Sequence, residues 1–237
     1  MLGTALCLGM GEARTEVQPG LEPLKLHLPA PGFRGTPREL PKGEHIESWR
    51  GKPRPPFLAP VGAGNLALRK KVTASTPSTI GGRLEQITDG DKEALDDSVV
   101  ELRKGVQWVQ IDLEASYPLY AILLWHDHRE LLLFRCVVVQ IADDADFTRN
   151  VRTLFNNDYE NEAGLGCGQE KQYFETFEGK MIDAHGAKAR YVRCYSRGST
   201  DSALNCYTEI EVYGLKEPAP EAPPQPLPVK LPMPGFR

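Results

Sequence analysis

Gln107-Trp108-Val109-Gln110-Ile111-Asp112-Leu113 sets Val109, Ile111 and Leu113 on one side of an extended chain and Gln110 and Asp112 on the other. Successive side chains of a strand point to opposite faces, so a period of two with one apolar face predicts a half-buried antiparallel strand. The pattern returns twice. Residues 191–196 turn Val192 and Cys194 inward, and residues 207–213 turn in Thr208, Ile210 and Val212. Residues 120–125 and 136–141 are nearly continuous apolar runs and read as central strands. Further strands are expected at 71–74, 99–102, 151–155 and 172–177. Turn-rich segments lie between them at 88–91, 143–146, 156–168 and 197–205, and no stretch sustains a helical period. The fold class predicted is all-β, a jelly-roll β-sandwich of about eight strands.

Proline marks the limits of that domain. Of 20 prolines, only Pro77 and Pro118 fall between residues 65 and 214. The organisation predicted is a possible partial signal segment at 1–18, a proline-rich arm at 19–64, the sandwich at 65–214 and a proline-rich tail at 215–237. The sandwich carries 17 Lys/Arg against 24 Asp/Glu. An acidic domain without a basic stripe argues against nucleic acid, whose phosphates need clustered cations. No apolar run reaches the roughly 18–20 residues of a membrane span. Met1 to Met10 is apolar but lacks a basic n-region, and export (secreted, periplasmic or cell-surface) is the expectation drawn from it.

The two arms share a heptapeptide. Leu28-Pro29-Ala30-Pro31-Gly32-Phe33-Arg34 returns as Leu231-Pro232-Met233-Pro234-Gly235-Phe236-Arg237, differing only at the third position. Extended proline-rich chain has little entropy left to lose, so spaced apolar residues dock at low cost. Leu28, Phe33, Arg34, Leu231, Phe236 and Arg237 are the candidate docking residues, against this domain or a partner protein. The other reading is a semi-rigid linker carrying the trace of a duplication.

The blocks of the core resemble discoidin domains, also called coagulation-factor type C domains, and are similar to family 32 carbohydrate-binding modules. Asn65-Leu66-Ala67-Leu68-Arg69-Lys70-Lys71-Val72-Thr73-Ala74-Ser75 opens the resemblance. Ile87-Thr88-Asp89-Gly90-Asp91, Trp108 through Leu113, Tyr191-Val192-Arg193 and Thr208 through Gly214 continue it in order. The resemblance implies a galactose-binding-like jelly roll that binds rather than catalyses, its first and last strands adjacent and its ligand loops at the far end. Both arms are then expected to leave from one end, with the opposite rim free. Arg69 stands where the family has glycine, and Ala94-Leu95-Asp96-Asp97 replaces a frequent tryptophan. The loop at 156–171 is longer than a minimal module needs. The resemblance further implies a structural Ca2+ held by Asp89, Asp91 and Glu209, a cation that wants six to eight oxygens mixing carboxylates with carbonyls. An Asx turn accounts for the same Asp-Gly-Asp.

His126 and His128 follow the strand ending at Trp125 and share a face, so with Arg129 they are candidate rim donors; a solvated strand end is the alternative. Sugar recognition combines an aromatic platform with planar donors and acceptors. Asn157 and Tyr159 in one loop, and Arg197, Asn205 and Tyr207 in and beside another, supply those types; loop asparagines that merely turn the chain are the alternative. Asp143, Asp144 and Asp146 read as a solvated hairpin loop. Cys194 and Cys206 pair in an oxidising compartment or stay buried thiols. There is no Gly-x-Ser-x-Gly, and the core holds only His126, His128 and His185, so no catalytic constellation is expected. The expected function is a non-catalytic module binding carbohydrate or another surface ligand. The alternative is a structural or assembly protein whose Leu-Pro-x-Pro-Gly-Phe-Arg arms dock onto partners.

Overall fold

The computed structural model describes residues 20–33 and 39–216. Its strands, in chain order, are β1 (Leu21–Pro23), β2 (Leu58–Pro60), β3 (Gly64–Asn65), β4 (Val72–Ala74), β5 (Val100–Leu102), β6 (Gln107–Trp125), β7 (Val138–Ala142), β8 (Arg152–Asn156), β9 (Lys180–Ser196), β10 (Asn205–Tyr207) and β11 (Glu209–Gly214). A 3-10 turn, Leu84–Thr88, is the one helical element among the described residues. The main sheet runs β3-β11-β6-β9-β7-β8 with β4 branching from β6, while β10 and β5 pair apart. Alternation predicted this class, and the fold is an all-β jelly-roll sandwich.

Two long strands build both layers. In the first half of β6, Ile111 lies opposite Val72 of β4 and Val192 of β9. In its second half, Ile122 lies opposite Val212 of β11 and Ile182 of β9. Between the halves the β6–β9 register slips twice, at Asp112/Tyr117 and Leu119/Ala121. Glu114, His185 and Gly186 take positive φ there (72°, 51° and 72°), which turns both strands together. Side chains from both halves then meet in one core: Val109, Ile111, Val192 and Cys194 from one, Ile122, Leu124, Ile182 and Val212 from the other. The residues read separately as 107–113 and 120–125 are thus one bent strand.

The other face of the second layer is covered by the chain's own N-terminal arm. Ala121, Leu123, Trp125 and Tyr213 point away from the core and pack against Leu24, Leu26, Phe57 and Met181. β1 and β2 pair antiparallel, and the Val61 N–H donates to Gly20 O at 3.1 Å. β3 pairs β11, so the ends of the sandwich lie side by side as expected. Glu209 lies opposite Trp125 while Gly214 lies opposite Leu119, which puts the chain ends at the end of the sheet away from Trp125.

The rim beyond Trp125 is not left free. Residues 45–49 of the arm cross it: Ile46 bridges Gln172, the Gln172 N–H donates to His45 O at 2.8 Å, and Trp49 meets Phe174 edge-on at 5.6 Å. Arg50 pairs with Glu178, and Arg54 donates to the carbonyls of Gly179 and Glu178 at 2.8 and 3.0 Å. The strand expected at 172–177 is absent. That segment makes only single bridges, to Ile46 and Leu133, because it crosses the rim instead of joining a sheet. Gly179 is fixed by contact and backbone alike: φ is 64°, and a Cβ would lie 2.5 Å from Trp125 Cε2.

Candidate functional site

Two clefts open at this rim, on either side of the bridge between Leu133 and Phe174. The smaller, about 310 Å³, takes in Asn157, Tyr159 and Arg197 from the sequence expectations, together with Arg135, Gln172 and Thr200. Asn157 follows β8 and is wholly buried; its Oδ1 accepts the Val137 N–H at 2.7 Å. Its Nδ2 has no partner. A buried amide donor left unpaired is costly. Tyr159 is 37% exposed and stacks on His45 of the arm at 4.1 Å and 9°, while Pro41 and Ile46 are the arm residues that line the cleft itself. Arg197 is half exposed and anchored to Glu162 at 2.9 Å, which leaves part of its donor fork free.

The same cleft holds the one group of metal-ligating side chains that converge among the described residues, Cys136, Asp158 and Glu162. Its atoms are already occupied. Asp158 caps the Glu162 and Ala163 N–H groups at 3.0 and 2.7 Å, and the Cys136 thiol donates to Glu162 at 2.8 Å. Burial and the neighbouring carboxylates push that thiol well above its usual range, so it keeps its proton. This is an internally satisfied cluster and gives the cleft an acidic side.

Other expected ligand residues are placed in the interior. His126 is fully buried, stacked on Phe134 at 4.0 Å, with Nδ1 2.9 Å from Glu175 Oε2. Asn205 is likewise buried and saturated: its Oδ1 accepts from Ser196 Oγ and the Gly198 N–H, and its Nδ2 donates to Arg103 O and Gly105 O. Tyr207 donates to Cys194 O at 3.2 Å and meets Ser196 Oγ at 2.8 Å. These three hold the loops in place and do not reach a ligand. Arg129 is at the surface but clamped on Asp127 and Asp96. His128 is buried beside the larger cleft, apart from His126, so the two imidazoles do not converge on one ligand. Arg135, Gln172, Thr200 and His45 were missed by sequence reasoning; His45 in particular lies over a hundred residues before the ring it stacks on.

The Asp-Gly-Asp turn lies against β11. Asp89 Oδ1 accepts the Asp91 N–H and Asp91 Oδ1 accepts the Glu93 N–H, both Asx turns, so each keeps a second oxygen. Glu209 is fully buried; Oε2 accepts the Gly90 N–H at 3.3 Å and Oε1 has no partner. Burial pushes its carboxyl up to about 9. Glu209 Oε1 is an orphaned buried carboxylate oxygen, the donor type a hard cation takes, while Gly90 O in the turn already accepts from the Lys92 ammonium at 3.4 Å. The three side chains do not themselves crowd into one group among the described residues, so backbone oxygens would complete the shell.

No family model and no curated protein matches the chain. Among solved structures, it is similar to chitosan-binding module 1 of a chitosanase/glucanase from Paenibacillus sp. IK-5, at 21% identity over 64% of this chain and 99% of that one, TM-score 0.46. It is similar to a fucose-binding module from Streptococcus pneumoniae at 20% identity, over 65% of this chain and 99% of that one, TM-score 0.45. A family 89 glycoside hydrolase from Clostridium perfringens matches at 18% identity over 67% of this chain and 16% of its own, TM-score 0.48.

The repeated heptapeptide is only partly placed. Leu28 and Phe33 are described and exposed, at 41% and 38%. Arg34, Leu231, Phe236 and Arg237 lie outside the described residues, as does the segment at 1–18. Within the first copy Pro29 is buried, the Ala30 N–H donates to Glu93 Oε1 at 3.1 Å and Gly32 lies against His128 and Arg129, so the arm docks onto the sandwich here as well as through Leu24, Leu26 and Phe57. Cys194 and Cys206 are free thiols, each pushed up to about 12 by burial. Among the described residues no helix is long and apolar enough to cross a membrane.

Proposed function

We propose that this protein is a non-catalytic carbohydrate-binding module that takes one sugar residue in the smaller cleft. The observation that carries this is the unpartnered Nδ2 of Asn157 at the buried side of an open cleft. Around it stand what a pyranose needs: the fork of Arg197, the hydroxyl of Thr200, an acidic acceptor at Glu160, and the exposed Tyr159 ring. A volume of about 310 Å³ suits a single ring. A calcium ion at Glu209, with Asp89 and Asp91, would hold the turn against β11 and leave the cleft chemistry to the residues above. Such a role belongs at the cell surface, in the periplasm or outside the cell.

Glycan-array binding followed by titration calorimetry tests the reading. Arg197→Ala should abolish binding without lowering the melting temperature by more than a few degrees; a native protein that binds no glycan sinks the proposal. The second reading, partner docking through the heptapeptide, is favoured by the two exposed apolar side chains Leu28 and Phe33. Pull-down with a Leu28→Ser variant separates the two, since Leu28 lines neither cleft and that variant should keep glycan binding and lose any protein partner.

A further inference from the structure

The larger cleft, about 630 Å³, lies between arm residues 47–54 and the segment 173–181, so half of its wall comes from outside the discoidin-like core. Trp49 and Phe174 meet at 88° and form an aromatic corner in it. Four cations line it: Arg50, Lys52, Arg54 and Lys180. The two carboxylates among the lining residues are already engaged, Glu178 by Arg50 and the Arg54 N–H, and Glu47 by Lys180 at 3.7 Å. Lys52 has no ion-pair partner among the described residues, in a chain whose net charge is −4.

His128 supplies the group that points to a ligand. Its Nε2 sits 2.8 Å from Lys92 O, a carbonyl that can only accept, so Nε2 carries the proton and Nδ1 is left as an acceptor. That Nδ1 is unpartnered, and the residue is only 2% exposed where it lines the cleft. A ligand that satisfies this wall donates a hydroxyl hydrogen, presents an apolar CH face to an aromatic corner and carries negative charge.

We infer that the larger cleft is a second binding site, for an anionic saccharide such as a uronic-acid oligomer. The saccharide class rests on the reading proposed above, whereas the excess positive charge and the unpaired acceptor stand without it. Lys180 contributes from the base of the cleft: it lies over the Tyr173 and Phe155 rings at 4.6 and 5.0 Å, and burial lowers its pKa, as expected for a cation held partly out of water.

Calorimetric titration of the full chain with oligogalacturonate, with free galactose as the neutral comparison, tests this. The native protein should bind oligogalacturonate, and added salt should weaken the binding by screening. Lys52→Glu should weaken it by about tenfold or more, because it reverses an unpaired surface charge at the cleft. Trp49→Ala should also weaken it, with the melting curve showing that the variant is folded. Arg197→Ala should leave it unchanged. Absence of oligogalacturonate binding overturns the proposal, and so does binding that Arg197→Ala abolishes and Lys52→Glu does not. If galactose and all neutral glycans fail to bind while oligogalacturonate binds in a Lys52-dependent way, the larger site stands and the single-sugar reading of the smaller cleft falls.

Discussion

Replacing Glu209 by glutamine keeps the side-chain shape and an oxygen for the Gly90 N–H while removing a buried charge. Glu209 is fully buried and its carboxyl is pushed from an ordinary 4.5 up to about 9. In the ion-free protein the folded state therefore holds a proton that the unfolded chain releases near pH 4.5. The contribution is most favourable below about 4.5 and is lost progressively as pH rises towards about 9. The slope is about 1.4 kcal/mol per pH unit, so three units above the unfolded value the loss is about 4 kcal/mol. A bound calcium ion reverses this, because it stabilises the ionised carboxylate. At about a hundredfold excess over Kd the ion adds about 2.7 kcal/mol, which for a domain of this size raises Tm by roughly 5–10 °C. The assay is thermal unfolding across that pH window, with chelator and with calcium. Native protein should lose stability towards alkaline pH in chelator and regain it with calcium. The Glu209→Gln variant should be flat in both. A native Tm unmoved by chelator, together with native and variant curves that coincide at every pH, refutes the reasoning.

Asn205→Ala should cost about 2–3 kcal/mol by chemical denaturation, since it strips a partner from four polar groups, two of them on the buried residues Ser196 and Gly198, and the folded fraction should keep its glycan affinity; lost affinity at full folding would return Asn205 to the ligand site. Phe57→Ala should destabilise by about 2 kcal/mol, because the ring is half buried over Trp125 and Leu123; an unchanged denaturation midpoint would mean that the arm does not hold the sheet face. Among Cys136, Cys167, Cys194 and Cys206, a thiol reagent should modify only exposed Cys167 rapidly in the folded state, with the other three reacting after denaturant is added. Fast labelling of Cys194 would contradict its burial.

The half-buried strands were legible because their two faces meet different surroundings: in β6, Val109 and Ile111 face the core while Asp112 meets Arg190 at 2.7 Å near the surface. Residues 120–125 were legible as buried on both sides. What covers the second side was not, since alternation reports burial and not the identity of the cover, which here is Leu24, Leu26 and Phe57. The candidate site divides along similar lines. Asn157, Tyr159 and Arg197 line one cleft, and their polarity in loops is what made them legible as candidates. His126 and Asn205 lie in the interior, and a polar residue bonded to buried partners looks, in sequence, the same as one on a loop surface; Asn205 is saturated there, while His126 keeps Nε2 unpartnered. His126 has Glu175 within 2.9 Å, a partner that no local spacing reveals. The larger cleft was beyond reach altogether, because Arg50 and Glu178 meet across 128 positions of chain.

The arm's two ends meet where it joins the body. Gly20 is hydrogen-bonded to Val61, and Leu215 lies 3.8 Å from where a side chain on Gly62 would begin. The excursion that covers the sheet and walls both clefts is thus a closed circuit, and the described polypeptide enters and departs through one small junction. Tension applied between its two tails is carried across that junction alone. The two clefts at the other pole lie off that path, so a pull between residues 20 and 216 would leave them mechanically unloaded.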